Sequence, residues 1–290
     1  MATTSRLINN SFKMSARTRN IDTLHPFLRW AGGKTWLVKL INNGLNINTF
    51  SSYHEPFVGG GAMLFHLQPK KAYISDSNEQ LIRTYEAVRD DIDEIITMIK
   101  NFGRDEQAYY QVRSINSNDP TIQAAQFIYL NQMSFNGIYR VNQKGEYNVP
   151  WGKRVSYKFD YENLKKVSSY LRTVRIQAMD FGDSIKSVRK NTLVFLDPPY
   201  THSKIENRFI KYNQKIFTFE DQKRLSLMID TIKSRGAYYI LTNADHALIK
   251  EVFDKNDRII PLSRKSTIGG MNAQRGQYEE CIFTNTNLKI

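Results

Sequence analysis

Asn191-Thr192-Leu193-Val194-Phe195-Leu196-Asp197-Pro198-Pro199-Tyr200 decides how the rest of the chain is read. Leu193 to Leu196 is a continuous apolar run, too short for a buried helix, entered from a polar asparagine and stopped by two prolines. Such a run is a central strand covered on both faces. In an open α/β sheet, ligands bind beyond the carboxyl ends of the strands, so the residues after Leu196 form a candidate site. Prolines lack an N–H and hold the chain extended, leaving the carbonyls of Asp197 and Pro198 as rigid acceptors. A carboxylate before them and the aromatic ring of Tyr200 after them suit a planar amine. The carboxylate and a carbonyl accept the two N–H bonds of an exocyclic amino group while the tyrosine stacks on its ring.

Outward from this strand, short β-like runs alternate with helical spacing. Ser52–Glu55, Ala72–Asp76, Val174–Ala178, Tyr238–Leu241, Arg258–Ile260 and Tyr278–Thr284 read as strands. Ala62–Leu67, Glu79–Val88, Phe219–Lys233 and Ala247–Phe253 read as helices. Ile92 to Met133 breaks the alternation, its apolar residues recurring at three and four (Ile92, Ile95, Ile96, Ile99; Phe127, Leu130, Met133), as in consecutive helices. Ile138 to Pro150 then reads as a β-hairpin turning at Gln143-Lys144-Gly145. The expected fold is α/β: a doubly wound, mostly parallel Rossmann-like sheet, residues 23–90 and 174–290, interrupted by a helical plus β-hairpin module, residues 91–173. Residues 1–22, with Arg6, Lys13, Arg17 and Arg19, read as a basic flexible tail.

Two further segments carry chemistry. Glu55-Pro56-Phe57-Val58-Gly59-Gly60-Gly61 follows the first strand and opens a helix, a corner where glycines let backbone approach a ligand. Position 64 is leucine, which breaks the dinucleotide fingerprint. Asp76, after the second strand, is placed for ribose hydroxyls and equally for a helix N-cap with Glu79 three residues on, two roles that do not exclude each other. Upstream, Arg29-Trp30-Ala31-Gly32-Gly33-Lys34-Thr35 imitates the end of a phosphate loop, but Leu28 stands where the loop needs its first glycine. A lysine at that helix start can hold a carboxylate, and a tryptophan face can shelter an apolar or cationic group.

PFLRWAGGK, EPFVGGGAM and DPPY, in this order, resemble the Dam-type DNA adenine N6-methyltransferases (D12 class, alpha group), and the likeness runs from about Pro26 to the C-terminus. The intervening Phe135-Asn136-Gly137-Ile138-Tyr139-Arg140 and Gly145 to Gly152 resemble that family's DNA-reading hairpin, which makes residues 91–173 a target-recognition domain. The resemblance implies S-adenosyl-L-methionine as cofactor, bound by Trp30, Lys34, Phe57, Gly59, Gly61, Asp76 and Asp197. It implies that Asp197, Pro198 and Tyr200 hold a flipped adenine as the catalytic residues. For DNA it implies guanine reading by Arg140, base contacts by Ile138 and Pro150, a wedge from Phe135 and an orphaned thymine met by Asn136. Arg29, where some members have lysine, would meet the first guanine, and Lys153-Arg154 replaces an arginine-tyrosine pair of one branch. These departures bear on the recognition sequence, expected to be GATC or another GAT-containing site. The segment Thr201 to Thr218, with Asn207-Arg208-Phe209 and Tyr212, has the length and mixed composition of a lid.

Composition agrees with such a partner. Among 290 residues, 41 Lys+Arg face 28 Asp+Glu, a formal net charge of +13 that suits double-stranded DNA. Lys144, Lys153, Arg154, Lys158, Lys165 and Lys166 cluster on or after the hairpin, and Arg264, Lys265 and Arg275 add a second group. No apolar run approaches the roughly 18–20 residues of a membrane helix, the start lacks a secretory apolar stretch, and the single Cys281 fits a reducing compartment. The expectation is a cytoplasmic, bacterial-type enzyme without membrane partner, a monomer or weak dimer, with a cognate restriction endonuclease as a candidate companion. No histidine–acid cluster has metal-ligand spacing, so no metal is expected. Competing readings are a cytosine-N4 or other amino-methyltransferase, since DPPY serves amines generally, and a non-catalytic DNA-binding protein, which should show a broken motif.

Overall fold

Strand β4 (Thr192–Leu196) is buried at every position and lies in the middle of a seven-stranded sheet. The computed structural model describes residues 24–143, 145–200, 217–265 and 277–289. The other strands are β1 (Ser52–Glu55), β2 (Ala72–Asp76), β3 (Val174–Ala178), β5 (Tyr238–Ala244), β6 (Arg258–Lys265) and β7 (Gln277–Thr284). Their order is β3-β2-β1-β4-β5-β7-β6, parallel except for β7, which runs antiparallel to both neighbours. The chain winds outward from β1 to β3, returns to β4 and winds the other way, so the topological switch point lies between β1 and β4. The expected doubly wound, mostly parallel Rossmann-like sheet is the observed one.

Side chains of the central strands alternate between two apolar layers, as a period of two requires. Leu193, Phe195, Ile240 and Ile282 enter one cluster, while Val194, Leu196, Tyr239, Leu241, Cys281 and Phe283 enter the other. Helices α1 (Thr35–Gly44), α2 (Ala62–Leu67) and α3 (Glu79–Asp90) supply the first layer, with Leu37, Ile41, Leu64, Leu81 and Tyr85. The second is built by α8 (Phe181–Ser184), α9 (Phe219–Ser234) and α10 (Ala247–Val252) through Phe181, Leu225, Ile229 and Ile249.

The residues after α3 form α4 (Ile92–Asn101), α5 (Glu106–Arg113), α6 (Pro120–Met133) and α7 (Tyr161–Leu171). Their apolar faces join the first cluster, since α3 packs against both α6 and α7. Helix α6 starts sharply because Asp119 accepts hydrogen bonds from Thr121 and Ile122 N–H and Pro120 takes the first turn. Its last turn is buried all round, including Asn131 and Gln132.

Two readings of the sequence change. Residues 161–171 form a helix that the strand-and-turn reading passed over, although Leu164, Val167, Ser168 and Leu171 line one buried face. The hairpin is present but irregular, tied by single antiparallel bridges at Val141–Tyr147 and Ser134–Trp151. Backbone bonds join the arms at Asn142 N–H to Glu146 O (2.9 Å) and Asn148 N–H to Arg140 O (3.1 Å), and side chains add to them: the Tyr147 hydroxyl donates to Ile138 O (2.9 Å), and Asn142 Oδ1 accepts from Glu146 N–H (3.0 Å). Among the described residues no helix is long and apolar enough to cross a membrane. The tail 1–22, Lys144, residues 201–216 of the candidate lid Thr201 to Thr218, Arg275 and the side chains of Arg264 and Lys265 lie outside the described residues.

Candidate active site

The carboxyl ends of β1 and β4 are neighbours, which brings the glycine-rich segment and DPPY to one place. A third segment arrives from the sequence before α1: the Lys34 side chain is only 4% exposed, and its Nζ lies 2.8 Å from Asp197 Oδ1. The same ammonium donates to Gly32 O (3.0 Å) and sits 4.6 Å from the centroid of the Tyr200 ring. Thr242, on β5, donates its hydroxyl to the same Asp197 Oδ1 at 2.6 Å. Oδ1 is thereby occupied by two protein donors, whereas Oδ2 has no hydrogen-bond partner among the described residues. The Asp197 side chain remains 19% exposed, so that second oxygen is reachable. Tyr200 is held from the other side, its hydroxyl donating to buried Glu280 Oε2 (3.0 Å) on β7. Burial pushes the Tyr200 phenol well above its usual range, with the charges of Asp197 and Glu280 adding to it, so the ring stays neutral.

The glycine corner is shaped by close contact. Gly59 and Gly61 both have positive φ (46° and 70°). A Cβ at Gly59 would lie 2.7 Å from Trp30 Cδ1, and one at Gly61 would lie 2.7 Å from the Tyr85 hydroxyl. Gly59 N–H donates to Asp76 Oδ2 (3.1 Å) and Asn78 N–H to Asp76 Oδ1 (3.0 Å), so Asp76 ties the corner to the start of α3. The N-cap of α3 is Asn78, which accepts from Leu81 N–H at 3.0 Å, and the capping role for Asp76 falls. Burial raises the Asp76 carboxyl, opposed by hydrogen bonds from the backbone at Asn78, Gly59 and Ser77. Phe57 stacks on Phe181 (5.3 Å, 30°) and meets Phe217 edge-on (5.7 Å, 80°).

Glu55 opens the glycine-rich segment, and its sequence position alone assigns it no role. It is buried, accepts the Tyr53 hydroxyl at 2.8 Å, and burial pushes its carboxyl up to about 8. The Tyr53 bond opposes that shift and the charge of Asp197 reinforces it. The folded state therefore keeps a proton that the unfolded chain releases near the ordinary value of 4.5. The contribution of this group is fullest below that value and is lost as pH rises toward 8. Glu55→Gln should flatten the fall of melting temperature with pH across this window. Parallel curves for both proteins would remove Glu55 as its source.

The remaining candidates lie along one rim. Arg29 is fixed by its backbone, since its N–H donates to buried Asn131 Oδ1 (2.7 Å) and its carbonyl accepts from Asn131 Nδ2 (2.9 Å). Its exposed side chain runs against Gly137. Phe135 is 55% exposed, and Asn136, also exposed, has φ 56°. Ile138 is half-buried, Pro150 and Lys153 are exposed, and Pro150 O accepts from Phe135 N–H at 2.9 Å. Arg140 is held against the opposite arm, Nε donating to Asn148 Oδ1 (2.7 Å) and Nη2 to Asn148 O (3.0 Å). Arg154 turns inward instead: it donates to Gln132 O and lies over the Tyr157 ring.

Comparison with known proteins bears on what this arrangement does. The family model for D12 class N6 adenine-specific DNA methyltransferases matches residues 30–268. The Type II methyltransferase M1.LlaDCHI of Lactococcus lactis subsp. cremoris is 32% identical over 283 residues, covering 94% of this chain and 99% of that protein. M.MjaIII of Methanocaldococcus jannaschii, also named a Type II methyltransferase, is 40% identical over 243 residues, 76% of this chain and 84% of its own. The DNA adenine methylase of Escherichia coli (strain K12) is 29% identical over 235 residues, 79% and 84% of the two chains. With DPPY at the switch point and a matched segment that spans both halves of the sheet, the chain belongs to the D12 class of adenine-specific DNA methyltransferases.

Proposed function

We propose that the protein transfers a methyl group from S-adenosyl-L-methionine to N6 of an adenine flipped out of duplex DNA, within GATC or another GAT-containing sequence. The observation that carries this reading is the Asp197 carboxylate, one oxygen saturated by Lys34 and Thr242 and the other left for a substrate N–H. The carboxylates of Asp76 and Asp197 and the aromatic rings of Trp30 and Phe57 form a set of acceptors and ring faces suited to a ligand with cationic groups, hydroxyls and a purine. Trp30, Lys34, Phe57, Gly59, Gly61 and Asp76 would hold the cofactor, which when bound supplies an activated methyl on a sulfonium.

The chain's own work is to prepare the acceptor. An amine in the free base shares its lone pair with the ring. Hydrogen bonds from N6 to Asp197 Oδ2 and Pro198 O draw the nitrogen toward tetrahedral geometry and turn the lone pair outward, while Tyr200, braced by Glu280, keeps the ring in plane. Alignment of this kind supplies on the order of 7–11 kcal/mol of barrier reduction. Flipping costs a few kcal/mol of unstacking, which exposed Phe135 offsets by filling the gap, with Asn136 facing the orphaned base.

The decisive experiment measures labelled methyl transfer from S-adenosylmethionine to duplexes carrying GATC and each single-base variant, followed by mass spectrometry of the nucleosides. N6-methyladenine confined to GAT-containing duplexes is the expected result. N4-methylcytosine, or transfer indifferent to the duplex, overturns it. Arg140, pre-set by Asn148, retains guanidinium donors for guanine O6 and N7. Arg140→Ala should lower discrimination at one base pair by about tenfold, within the roughly 1–3 kcal/mol of a bidentate contact. Unchanged discrimination would remove Arg140 as a base reader. The restriction-endonuclease companion and the monomeric or weakly dimeric state belong to this proposal and are read by testing the host extract for cleavage of unmethylated sites and by sedimentation.

A further inference from the structure

Tyr139 sits between two residues of the rim, Ile138 and Arg140, yet its ring leaves the hairpin. It stacks on Trp30 at 5.1 Å with 19° between planes, lies 5.3 Å from Phe127, and meets Tyr147 edge-on at 6.1 Å. Its hydroxyl donates to Gln80 Oε1 (3.1 Å) in the first turn of α3. Trp30 in turn covers the glycine corner, where a Cβ at Gly59 would lie 2.7 Å and one at Gly60 3.1 Å from its side chain. The helix that carries Gln80 is tied to that corner through Asp76, which accepts from both Gly59 and Asn78 N–H. One side chain of the hairpin therefore touches both Trp30, which covers the glycine corner, and the first turn of α3.

We propose that Tyr139 couples DNA reading to cofactor binding, so that each ligand raises affinity for the other through the Tyr139–Trp30 stack. The inference rests on the functional reading above. Its physical basis is ordering. A cofactor that packs against Trp30 fixes the face on which Tyr139 lies, and Tyr139 fixes the backbone that presents Arg140. A duplex that orders the hairpin returns the same effect to Trp30, because coupling between two binding events is reciprocal. Aromatic pairs of this geometry contribute a factor of about two to ten to an equilibrium, which bounds what the stack can transmit.

The test is calorimetric titration of the full chain with S-adenosylhomocysteine, with and without a saturating duplex that the enzyme methylates, for the wild type, Tyr139→Leu and Tyr139→Phe. In the wild type the duplex should tighten binding about fivefold or more. Tyr139→Leu should bring that ratio to within about twofold of one. Tyr139→Phe keeps the ring and loses the hydroxyl with its bond to Gln80, so an intermediate ratio is expected, and this variant carries the test should the leucine variant not fold. A ring that only supports the fold would shift both affinities and leave their ratio unchanged. An unchanged ratio in the variants, or a ratio of one in the wild type, overturns the proposal. Failure of the wild type to bind the homocysteine compound or the duplex at all would instead overturn the functional reading beneath it.

Discussion

Replacing Asp197 with alanine is expected to cut turnover at least a hundredfold. The substitution removes the carboxylate oxygen that the proposed mechanism gives to the acceptor amine, and one preorganised hydrogen-bonding group is typically worth about 3–4 kcal/mol in the transition state. It also leaves the buried Lys34 ammonium without its partner at 2.8 Å, so part of any loss could come from instability. Asp197→Asn separates the two effects. Lys34 and Thr242 both donate to the position of Oδ1, which obliges the amide to turn its carbonyl toward them. Its NH2 then faces the substrate, a donor opposite a donor. The asparagine variant keeps the hydrogen bond to Lys34 without its counter-charge, so it should melt above the alanine variant and still lose tenfold or more in single-turnover methyl transfer. Near-normal transfer by either variant would sink the role given to this carboxylate.

How far this site was legible in the sequence follows from how each residue reaches it. Asp197, Pro198 and Tyr200 are set by a local pattern, an apolar run stopped by prolines, and Gly59 and Gly61 by a strand-to-helix turn. Thr242 and Glu280 reach the pocket only through the pairing of β4 with β5 and of β5 with antiparallel β7. No spacing along the chain encodes that adjacency. Asn131 clamps the Arg29 backbone across 102 residues. Each of the three nonetheless left a trace: a polar side chain where the apolar pattern demands burial, which must be paired. Helix α7 was hidden for a different reason, since it begins on a polar first turn, Tyr161-Glu162-Asn163, directly after the lysine- and arginine-containing stretch that follows the hairpin. Asp76 shows the limit of capping rules, because an asparagine two residues later competes for the same helix start and takes it.

The structure also redistributes the net charge, and this leads to an expected dependence of DNA binding on salt. Several cations are already spent within the fold. Lys34 is buried on Asp197, Arg154 is bonded to Gln132, Lys165 pairs with Asp93 at 3.2 Å, and Arg224 is shared by Asp180 and Asp221. Around the hairpin rim, Arg29, Arg140 and Lys153, and beyond it Lys158, are exposed and make no ion pair among the described residues. Each phosphate neutralised releases counterions and adds about −0.9 to the slope of log affinity against log salt. Arg29 and Arg140 are assigned to bases, which leaves Lys153 and Lys158 for phosphates; two contacts give a slope of about −1.8, so raising salt from about 50 to 200 mM should weaken binding on the order of tenfold. Lys153→Gln should lower the magnitude of the slope by about one unit. Lys165→Gln, which removes a cation already paired away from this rim, should leave it unchanged, and fluorescence anisotropy across a salt series reads both. Equal slopes for Lys153→Gln and the wild type would take this rim off the phosphate path. A slope lost with Lys165→Gln instead would move that path onto α7, away from the face that carries Phe135 and Arg140.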